Sequence, residues 1–212
     1  MPADVTPNRR QEASRQRRQA ILDAALDVFA ANGFAATRLD EIAEKAGVAK
    51  GTIYLFFKDK EDLFEQIVLG AVSPVLATVS TVAEQEGDQP FDALLSRLID
   101  VFRREILGTR RTEIIRLVIS EGARFPRIAE FYHREVIVRG CAIIRALAER
   151  GLPAGDPRRE ALTKYPQLAI APMLLAIIWD GLFARIEPLD VADLMAAHRT
   201  LLLGAHSEET KS

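Results

Sequence analysis

The stretch GVAKGTIYLFFKDKEDLF, residues 47–64, decides the fold because it combines features that a simple buried helix does not carry. Three aromatic residues lie within four positions: Tyr54, Phe56 and Phe57. Lys50 precedes these rings, and two further lysines follow them. Ile53 and Phe57 are four residues apart, so on a helix they share one apolar stripe. The pattern predicts a helix that is anchored by a narrow face and leaves its other groups available to a partner.

Residues 37–57 are predicted to form two short helices joined by a tight turn at Gly47, which is free to adopt the positive φ that such a turn needs. Ile42 and Ala43 would face the second helix. This spacing is typical of a helix-turn-helix. A small helical hairpin with one polar face would show the same spacing, so the pattern alone leaves both interpretations open.

In a helix-turn-helix, the first turn of the second helix enters the major groove of DNA. Gly51 has no side chain, so the backbone could approach the DNA closely there. Thr52 can hydrogen-bond to a phosphate or a base and can touch a thymine methyl group. The Tyr54 hydroxyl and the lysine ammonium groups are typical phosphate donors. The residue types therefore favour nucleic-acid binding over a purely structural hairpin.

The longer segment RQAILDAALDVFAANGFAATRLDEIAEKAGVAKGTIYLFFKDKEDLFEQIV, residues 18–68, resembles the DNA-binding domain of the TetR (tetracycline repressor) family of bacterial regulators. The match has no gap and includes the phenylalanine-x3-glycine end of the first helix and the run IA…AGV…GTIY…F…K. It covers about a quarter of the chain. The rest resembles the family only in its length and helical character.

The resemblance implies a set of DNA-contacting positions: Thr37, Arg38, Lys50, Gly51, Thr52, Tyr54, Phe56 and Lys60. Two departures from the family matter. Ala49 stands where many members carry serine, so one helix cap and one phosphate contact are absent. Phe56 stands where many carry histidine or tyrosine and offers only van der Waals contact. Lys58 is better interpreted as a solvated loop charge.

Beyond this segment the chain is predicted to be all-α, because apolar residues recur at helical spacing and no long period-two alternation occurs. Gly33 would close the first helix, and Thr37 would cap the second with Asp40 at the capping-box spacing. About nine helices are expected: residues 15–31, two in 37–57, then 60–84, 90–107, 112–121, 126–150, 158–185 and 191–203. Distortions are expected at Pro166 and Pro172.

Four parts of the chain are predicted from this organisation. Residues 1–14 form a basic flexible arm, and residues 15–59 form the helix-turn-helix DNA-binding domain. Residues 60–206 form a helical domain for ligand binding and dimerisation, and residues 207–212 form a tail.

The family resemblance implies a homodimer, in which the last two helices of each chain build a four-helix bundle. The stretch LAIAPMLLAIIWDGLF, residues 168–183, is apolar on almost every side, which the core of a single chain does not readily explain. The expected interface residues are Leu168, Met173, Leu174, Ile177, Ile178, Leu194 and Leu201. A two-fold dimer places its recognition helices about 34 Å apart, so a palindromic operator on double-stranded DNA is expected.

The resemblance also implies an unknown small-molecule effector that binds among the fourth to eighth helices. It would favour a conformation whose DNA-binding domains no longer match the half-site spacing. The candidate pocket residues are Phe102, Ile106, Arg116, Ile119, Phe125 and Tyr132. An ordinary core or surface position is the stronger interpretation of each. A pocket built from them would be mainly apolar or aromatic.

The charge distribution places any DNA-binding surface near the N-terminus. The net charge of −2 excludes a generally basic protein. Residues 1–60 carry ten Lys and Arg against eight Asp and Glu, whereas residues 61–212 carry eighteen against twenty-two. Five arginines and one glutamate lie within residues 9–18. This basic tail is either a solvated leader or an arm that touches DNA.

Enzyme, cofactor and membrane functions lack the residues they need. The three histidines are scattered without metal-ligand spacing, and no glycine-rich phosphate loop is present. A single cysteine, Cys141, excludes an internal disulfide and favours a reducing compartment. The longest apolar run, residues 168–179, is too short to span a bilayer. We therefore expect a cytoplasmic protein without cofactor, catalytic activity or membrane partner.

The sequence thus predicts a homodimeric, ligand-responsive transcriptional regulator, more readily a repressor than an activator. One alternative is a DNA-binding protein of the same fold that a protein partner controls or that organises the chromosome. A helical interaction module without DNA binding is a third class, but it treats the N-terminal quarter of the chain as coincidence.

Overall fold

Every regular element is helical in the computed structural model, which describes residues 9–85 and 89–203. Its α-helices are α1 (Arg9–Ala36), α2 (Leu39–Lys45), α3 (Lys50–Ile53), α4 (Lys60–Gln85), α5 (Phe91–Glu105), α6 (Arg111–Glu121), α7 (Pro126–Tyr132), α8 (Val138–Gly151), α9 (Pro157–Lys164), α10 (Ala171–Leu182) and α11 (Val191–Leu203). The predicted all-α fold is therefore confirmed.

Two interruptions raise the number of helices in these residues from the expected nine to eleven. A π-helical turn, His133–Ile137, separates α7 from α8 inside the helix predicted for residues 126–150. A 3-10 turn, Pro166–Ala169, separates α9 from α10 inside the segment predicted for residues 158–185. Pro166 has no backbone N–H to donate, so the α-helical ladder breaks where the sequence predicted a distortion.

Helix α1 begins earlier than expected. Residues 9–14, predicted to belong to a flexible arm, are already helical, and the helix bounds extend to Ala36. Gly33 interrupts the helical backbone with φ 75°, as expected for the residue that closes the first helix. The rest of the predicted arm, residues 1–8, and the predicted tail, residues 207–212, lie outside the described residues.

The chain packs as two compact units. The head unit comprises Met1–Gly70 together with Glu113–Tyr132, and the body unit comprises Ala71–Thr112 together with His133–Ser212. The boundaries of compact units and the boundaries of functional domains need not fall at the same residue. The functional boundary between residues 59 and 60 therefore stays a prediction.

Aromatic rings fill the core of the head unit. Phe29, Phe34 and Phe64 are fully buried. The ring centroids of Phe29 and Phe34 lie 5.0 Å apart, and those of Phe34 and Phe64 lie 6.1 Å apart. Phe125, from the loop between α6 and α7, meets Phe34 edge-on at 4.9 Å. Each such pair adds about 0.5–1.5 kcal/mol beyond the area it buries, so residues far apart in the chain stabilise one core.

The core of the body unit is aliphatic and is shared by five helices, α5 and α8–α11. Its buried side chains include Phe91, Leu94, Leu95, Ile144, Leu147, Leu162, Met173 and Met195. Burial of side chains of this size stabilises the folded chain by about 1.5–3 kcal/mol each. The apolar positions that recur at helical spacing in the sequence therefore form the inward faces of these helices.

One part of α4, Lys60–Val82, is long and apolar enough to cross a membrane by length and composition alone, with a mean hydropathy of 1.5. The sequence prediction that no segment is long enough to span a bilayer was based on uninterrupted apolar runs. Polar residues interrupt α4, so that prediction did not include it. Several of its apolar side chains are buried in the protein instead: Leu63, Phe64, Ile67, Val68, Val72 and Val75. In all, 33% of this apolar segment's window is buried inside the protein.

Candidate nucleic-acid interface

Helices α2 and α3 form the expected helix-turn-helix. The turn is closed by backbone hydrogen bonds from Ala46 to Ile42, 2.9 Å, and from Val48 to Ala43, 3.0 Å. Gly47 adopts φ 66° in this turn, the conformation that glycine tolerates best. Ile42 and Ala43 are buried, as predicted. The sequence therefore specified both the turn and the face on which α2 packs.

The apolar stripe of the second helix is also where the sequence placed it. Ile53 and Phe57 are buried, with 1% and 2% of their surface exposed. Arg18 of α1 lies over the Phe57 ring, 5.4 Å from its centroid, and donates a hydrogen bond to Gln66 Oε1 at 2.6 Å. One of the five arginines of the basic tail thus supports the fold.

The opposite face of α3 is open to solvent. Lys50 and Gly51 are exposed, and Tyr54, just after the helix, is 54% exposed. Thr52 is half-buried. A methyl group added to Gly51 would meet no other atom within 4 Å, so the packing of the protein itself does not require a glycine there. These four positions remain candidates for DNA contact, and α3 presents them on an accessible surface.

The two residues that depart from the family pattern, Ala49 and Phe56, lie beside this face. Ala49 is the N-cap of α3 and makes no side-chain hydrogen bond, as expected from the missing serine. Phe56 is half-buried and packs against Phe57, with their ring centroids 6.2 Å apart. Leu55 is 80% exposed beside Tyr54 and was missed, because leucine carries no polar signal for DNA binding.

Thr37 was predicted to cap α2, but the structure gives its side chain a different position. It is buried, and its hydroxyl donates hydrogen bonds to the carbonyls of Gly33 at 2.8 Å and Val28 at 3.4 Å. The N-cap of α2 is Arg38 instead, whose backbone N–H donates to the Glu41 carboxylate at 3.4 Å. Glu41, not Asp40, is therefore the acidic partner. A hydroxyl committed to internal carbonyls is not available to a phosphate.

Lys60 also has internal partners that the sequence did not predict. Its ammonium group donates to three backbone carbonyls: Phe34 at 2.7 Å, Ala35 at 3.1 Å and Thr37 at 2.9 Å. The same nitrogen lies 4.8 Å from the centroid of the Phe34 ring. An ammonium group has three N–H donors, so all of them serve the end of α1. The Lys60 ammonium group is thus occupied by these carbonyls in the structure, and its contact with DNA stays a prediction.

Asp40 is the residue at this surface that the sequence prediction misjudged. Its carboxylate lies 2.9 Å from the Lys50 ammonium through one oxygen and 3.0 Å through the other. Arg38 approaches the same carboxylate at 3.8 Å. An acidic side chain thus sits between two cations that were predicted to bind DNA. The capping-box spacing suggested that Asp40 caps α2, so its ion pairs with Lys50 and Arg38 were not predicted.

The loop after α3 is fixed by an ion-pair network. Asp59 accepts a hydrogen bond from the Asp62 backbone at 2.6 Å and thereby caps the start of α4. Arg127 donates to Asp59 at 3.1 Å and to Glu65 at 2.9 Å. Burial works to raise the pKa of Asp59, but the Asp62 and Arg127 hydrogen bonds outweigh it and leave that pKa below its usual value. Asp59 is therefore held as a carboxylate.

The predicted effector residues are divided between the two compact units. Phe102 and Ile106 belong to the body unit, whereas Arg116, Ile119, Phe125 and Tyr132 belong to the head unit. Ile106 and Tyr132 are buried, and burial raises the pKa of Tyr132 to about 12. Phe125 is half-buried and packs against Phe34 in the aromatic core described above, and its role in a pocket stays a prediction. Ile119 is half-exposed, and Arg116 pairs with Glu113 at 2.7 Å.

A shallow groove of about 360 Å³ lies between α1 and α2 of the head unit. Its lining is largely polar and acidic: Asp27, Asn32, Glu41, Glu44 and Lys45, with Val28 and Ala31. None of the predicted effector residues lines this groove. The effector site therefore stays a prediction without a described cavity.

The predicted dimer residues lie in three elements: Leu168 in the 3-10 turn, residues 173, 174, 177 and 178 on α10, and residues 194 and 201 on α11. Met173 and Ile177, one helical turn apart, are buried in the core of the body unit, which does not support their assignment to the interface. Ile178 is exposed, as are Leu168 and Leu201, while Leu174 and Leu194 are half-buried. Four further apolar side chains, which the sequence prediction did not name, are exposed: Leu175, Leu182, Phe183 and Ile186. A helix that is apolar all round can serve an inner core and an outer face together, and the spacing of residues 175, 178 and 182 marks the outer one.

No cluster of three or more His, Cys, Asp or Glu that could hold a metal ion occurs within residues 9–85 and 89–203. Cys141 is buried, and burial raises the pKa of its thiol, so it is held as a small neutral side chain.

Known proteins share both the sequence and the fold. Residues 21–67 match the family model for bacterial regulatory proteins of the tetR family. The HTH-type transcriptional regulator AcrR of Shigella flexneri is 38% identical over 113 residues, which are 53% of this chain and 52% of AcrR. The chain therefore aligns with about half the length of that relative.

Two other proteins match over most of their length. The uncharacterized HTH-type transcriptional regulator YhgD of Bacillus subtilis is 31% identical over 173 residues, 77% of this chain and 83% of YhgD. The crystal structure of the Bacillus subtilis regulator FadR in complex with stearoyl-CoA covers 88% of this chain and 97% of FadR, with a TM-score of 0.64. At 19% identity, the likeness to FadR shows a shared fold.

Proposed function

This chain belongs to the TetR family of bacterial transcriptional regulators, and on that premise we propose that it is a ligand-responsive repressor that binds a palindromic operator as a homodimer. Its relatives are transcriptional regulators rather than enzymes. We place it in the cytoplasm, where bacterial DNA lies. The proposed division of labour assigns DNA binding to residues 15–59 and effector binding and dimerisation to residues 60–206.

The observation that carries the proposal is the two-sided character of α3. Ile53 and Phe57 are buried and fix the helix to the head unit. Lys50, Gly51 and Tyr54 remain accessible on the other side. A recognition helix needs this arrangement, because its first turn must enter the major groove while its inner face keeps it in place.

Selection from a random duplex DNA library tests this function directly. The purified protein should enrich an inverted repeat whose half-site centres lie about one helical turn, roughly 34 Å, apart. Enrichment of a single asymmetric half-site would contradict a dimeric palindrome reader. If no sequence is enriched while DNA is still bound, the alternative of a chromosome-organising protein becomes the better function.

The exposed apolar face of α10 supports the homodimer. Leu175, Ile178 and Leu182 lie along one stripe, and Phe183 and Ile186 continue the exposed apolar surface past the end of the helix. Replacing Ile178 with glutamate should convert the dimer to a monomer in analytical ultracentrifugation. Val138→Glu is a matched control, since Val138 is a similarly exposed apolar residue on α8. A chain that is monomeric before any substitution would refute the dimer.

The effector is the least determined part of the proposal. The fold is shared with FadR, whose structure was solved with stearoyl-CoA, so long-chain acyl-CoA is the first class to test here. Fluorescence anisotropy of labelled operator should fall when stearoyl-CoA is added and stay constant with free coenzyme A. If acyl-CoA and a panel of aromatic acids all leave operator binding unchanged, control by a protein partner, the alternative function, is favoured.

The sign of regulation follows from where the operator lies. A repressor occupies a site that overlaps a promoter, so deletion of its gene should raise transcription of a reporter carrying that promoter. Lower transcription after deletion would instead make the protein an activator.

A further inference from the structure

The carboxylate of Asp40 is the unusual feature of the proposed DNA-binding surface. It stands between Lys50 and Arg38, and all three side chains are at least 48% exposed. DNA phosphates repel a carboxylate, so an acidic residue at this position weakens general attraction to DNA. Its position beside the first residue of α3 therefore needs a reason other than affinity.

The geometry of the Lys50 ammonium group suggests that reason. Its nitrogen lies within hydrogen-bond distance of both Asp40 oxygens, at 2.9 Å and 3.0 Å. An ammonium group has three N–H donors, so at least one remains to donate elsewhere. Lysine has a long, flexible stem, and a fixed carboxylate restricts the directions in which that remaining donor points. Guanine offers the O6 and N7 acceptors to such a donor in the major groove.

We propose that Asp40 is a specificity-determining residue that positions Lys50 for a base and penalises binding to DNA without that base. On non-operator DNA, phosphates must compete with Asp40 for Lys50 and Arg38, so each cation contributes less to phosphate binding. On the operator, Lys50 keeps its contact with Asp40 and donates to the base as well. This inference rests on the proposed function, since it requires an operator that is read by α3.

The test measures the ratio of operator binding to non-specific binding for Asp40→Asn. The operator is the duplex enriched by the wild-type protein, and the non-specific probe is a scrambled duplex of the same length and composition. Without the carboxylate, the salt dependence of non-specific binding should steepen by up to about one unit of slope, because freed cations meet more phosphates. The ratio should fall by about tenfold, the size of one misread base.

Asp27→Asn is the matched control. Asp27 pairs with Lys45 at 3.3 Å, and the two side chains are 46% and 49% exposed, close to the 48% and 50% of Asp40 and Lys50. Both substitutions remove one negative charge from the head unit, so a general effect of net charge is equal in the two variants. The ratio should stay at the wild-type value in Asp27→Asn, and thermal unfolding should be unchanged in both.

A second background separates positioning from direct contact. In a background that carries both Lys50→Ala and Arg38→Ala, the further change Asp40→Asn should no longer alter the ratio, because neither cation that pairs with Asp40 is left. If it still lowers the ratio there, Asp40 itself accepts a hydrogen bond from a base such as cytosine, and the positioning role is refuted. An unchanged ratio in Asp40→Asn alone also refutes it. If the wild-type protein enriches no sequence, both the proposed function and this inference are refuted. If it enriches a sequence but Asp40→Asn leaves the ratio unchanged, only this inference is refuted.

Discussion

The two ends of the recognition segment carry a lysine each, and the two lysines have different roles. Lys50 begins α3, is exposed, and meets only the Asp40 carboxylate and solvent. Lys60 begins α4 and donates all its N–H groups to the carbonyls of residues 34, 35 and 37. Both were predicted to contact DNA. The difference shows that the number of uncommitted donors, not the residue type, decides whether a cation is available to DNA.

The same contrast separates stability from recognition within one short stretch. Lys60 satisfies carbonyls at the C-terminal end of α1, which have no intrahelical partner. Lys50 satisfies no backbone group in the described structure. Substitutions at the two ends should therefore be measured by different experiments, unfolding for one and DNA binding for the other.

The largest effect is expected from Lys60→Ala. It removes three charge-assisted hydrogen bonds and the cation above the Phe34 ring, so the free energy of unfolding should fall by about 3 kcal/mol. Urea denaturation followed by circular dichroism measures this loss. Lys58→Ala is the control, because Lys58 is exposed and only its backbone N–H, retained in alanine, binds Asp62. If Lys60→Ala has the unfolding free energy of the wild type and loses only operator affinity, the assignment of Lys60 to stability rather than DNA binding is refuted.

Lys50→Ala should have the next largest effect, on binding alone. If Lys50 reaches a base, operator affinity should fall by about 2 kcal/mol, while the exposed ion pair with Asp40 contributes at most about 1 kcal/mol to stability. Isothermal titration with operator and urea denaturation give the two numbers. Lys45→Ala removes a similarly exposed and paired lysine and should leave operator binding unchanged. Equal losses from the two variants would mean that Lys50 acts only through general charge.

Gly51→Ala sharpens the contrast by raising stability while lowering affinity. Alanine favours a helix over glycine by up to about 1 kcal/mol, and the added methyl group meets no atom of the protein. On DNA, the same methyl group should hold the backbone away and weaken operator binding by about tenfold. Gly70→Ala is the matched control, because Gly70 is also helical with open space around it. Full operator affinity in Gly51→Ala would show that α3 does not approach DNA closely at this residue.

The smallest effect is expected from Tyr54→Phe. Loss of a hydroxyl that binds phosphate should lower affinity by about 1 kcal/mol, equally for operator and scrambled DNA, since phosphate carries no base information. Tyr165→Phe controls for the loss of an exposed hydroxyl elsewhere, as both tyrosines are 54% exposed. A change in sequence preference, seen by repeating the library selection, would instead make Tyr54 a base-reading residue.

The parts of the interface that the sequence predicted correctly are those set by local pattern. The i, i+4 spacing of Ile53 and Phe57 identified the buried stripe, and Gly47 identified the turn. Both features depend on residues within one or two helical turns. Local spacing is enough when a helix has a single narrow apolar face.

The features that the sequence did not predict are contacts between distant residues. Thr37 and Lys60 are polar residues at helix starts, and no local pattern shows that carbonyls of α1 occupy their donors. Met173 and Ile177 lie on a helix that is apolar all round, so periodicity does not distinguish the core-facing side from the exposed one. The role of Phe125 depends on Phe34, 91 positions earlier, and required the fold itself.

The contacts between the start and the middle of the chain also determine when the head unit can finish folding during synthesis. Glu121 accepts a hydrogen bond from the backbone of Ala35, 86 residues upstream, at 3.5 Å, and Phe125 completes the ring cluster around Phe34. A ribosome adds about 5–20 residues per second, so α3 leaves the exit tunnel several seconds before these partners exist. Although it is encoded first, the DNA-reading end of the protein must wait for more than half of the chain before its core is complete.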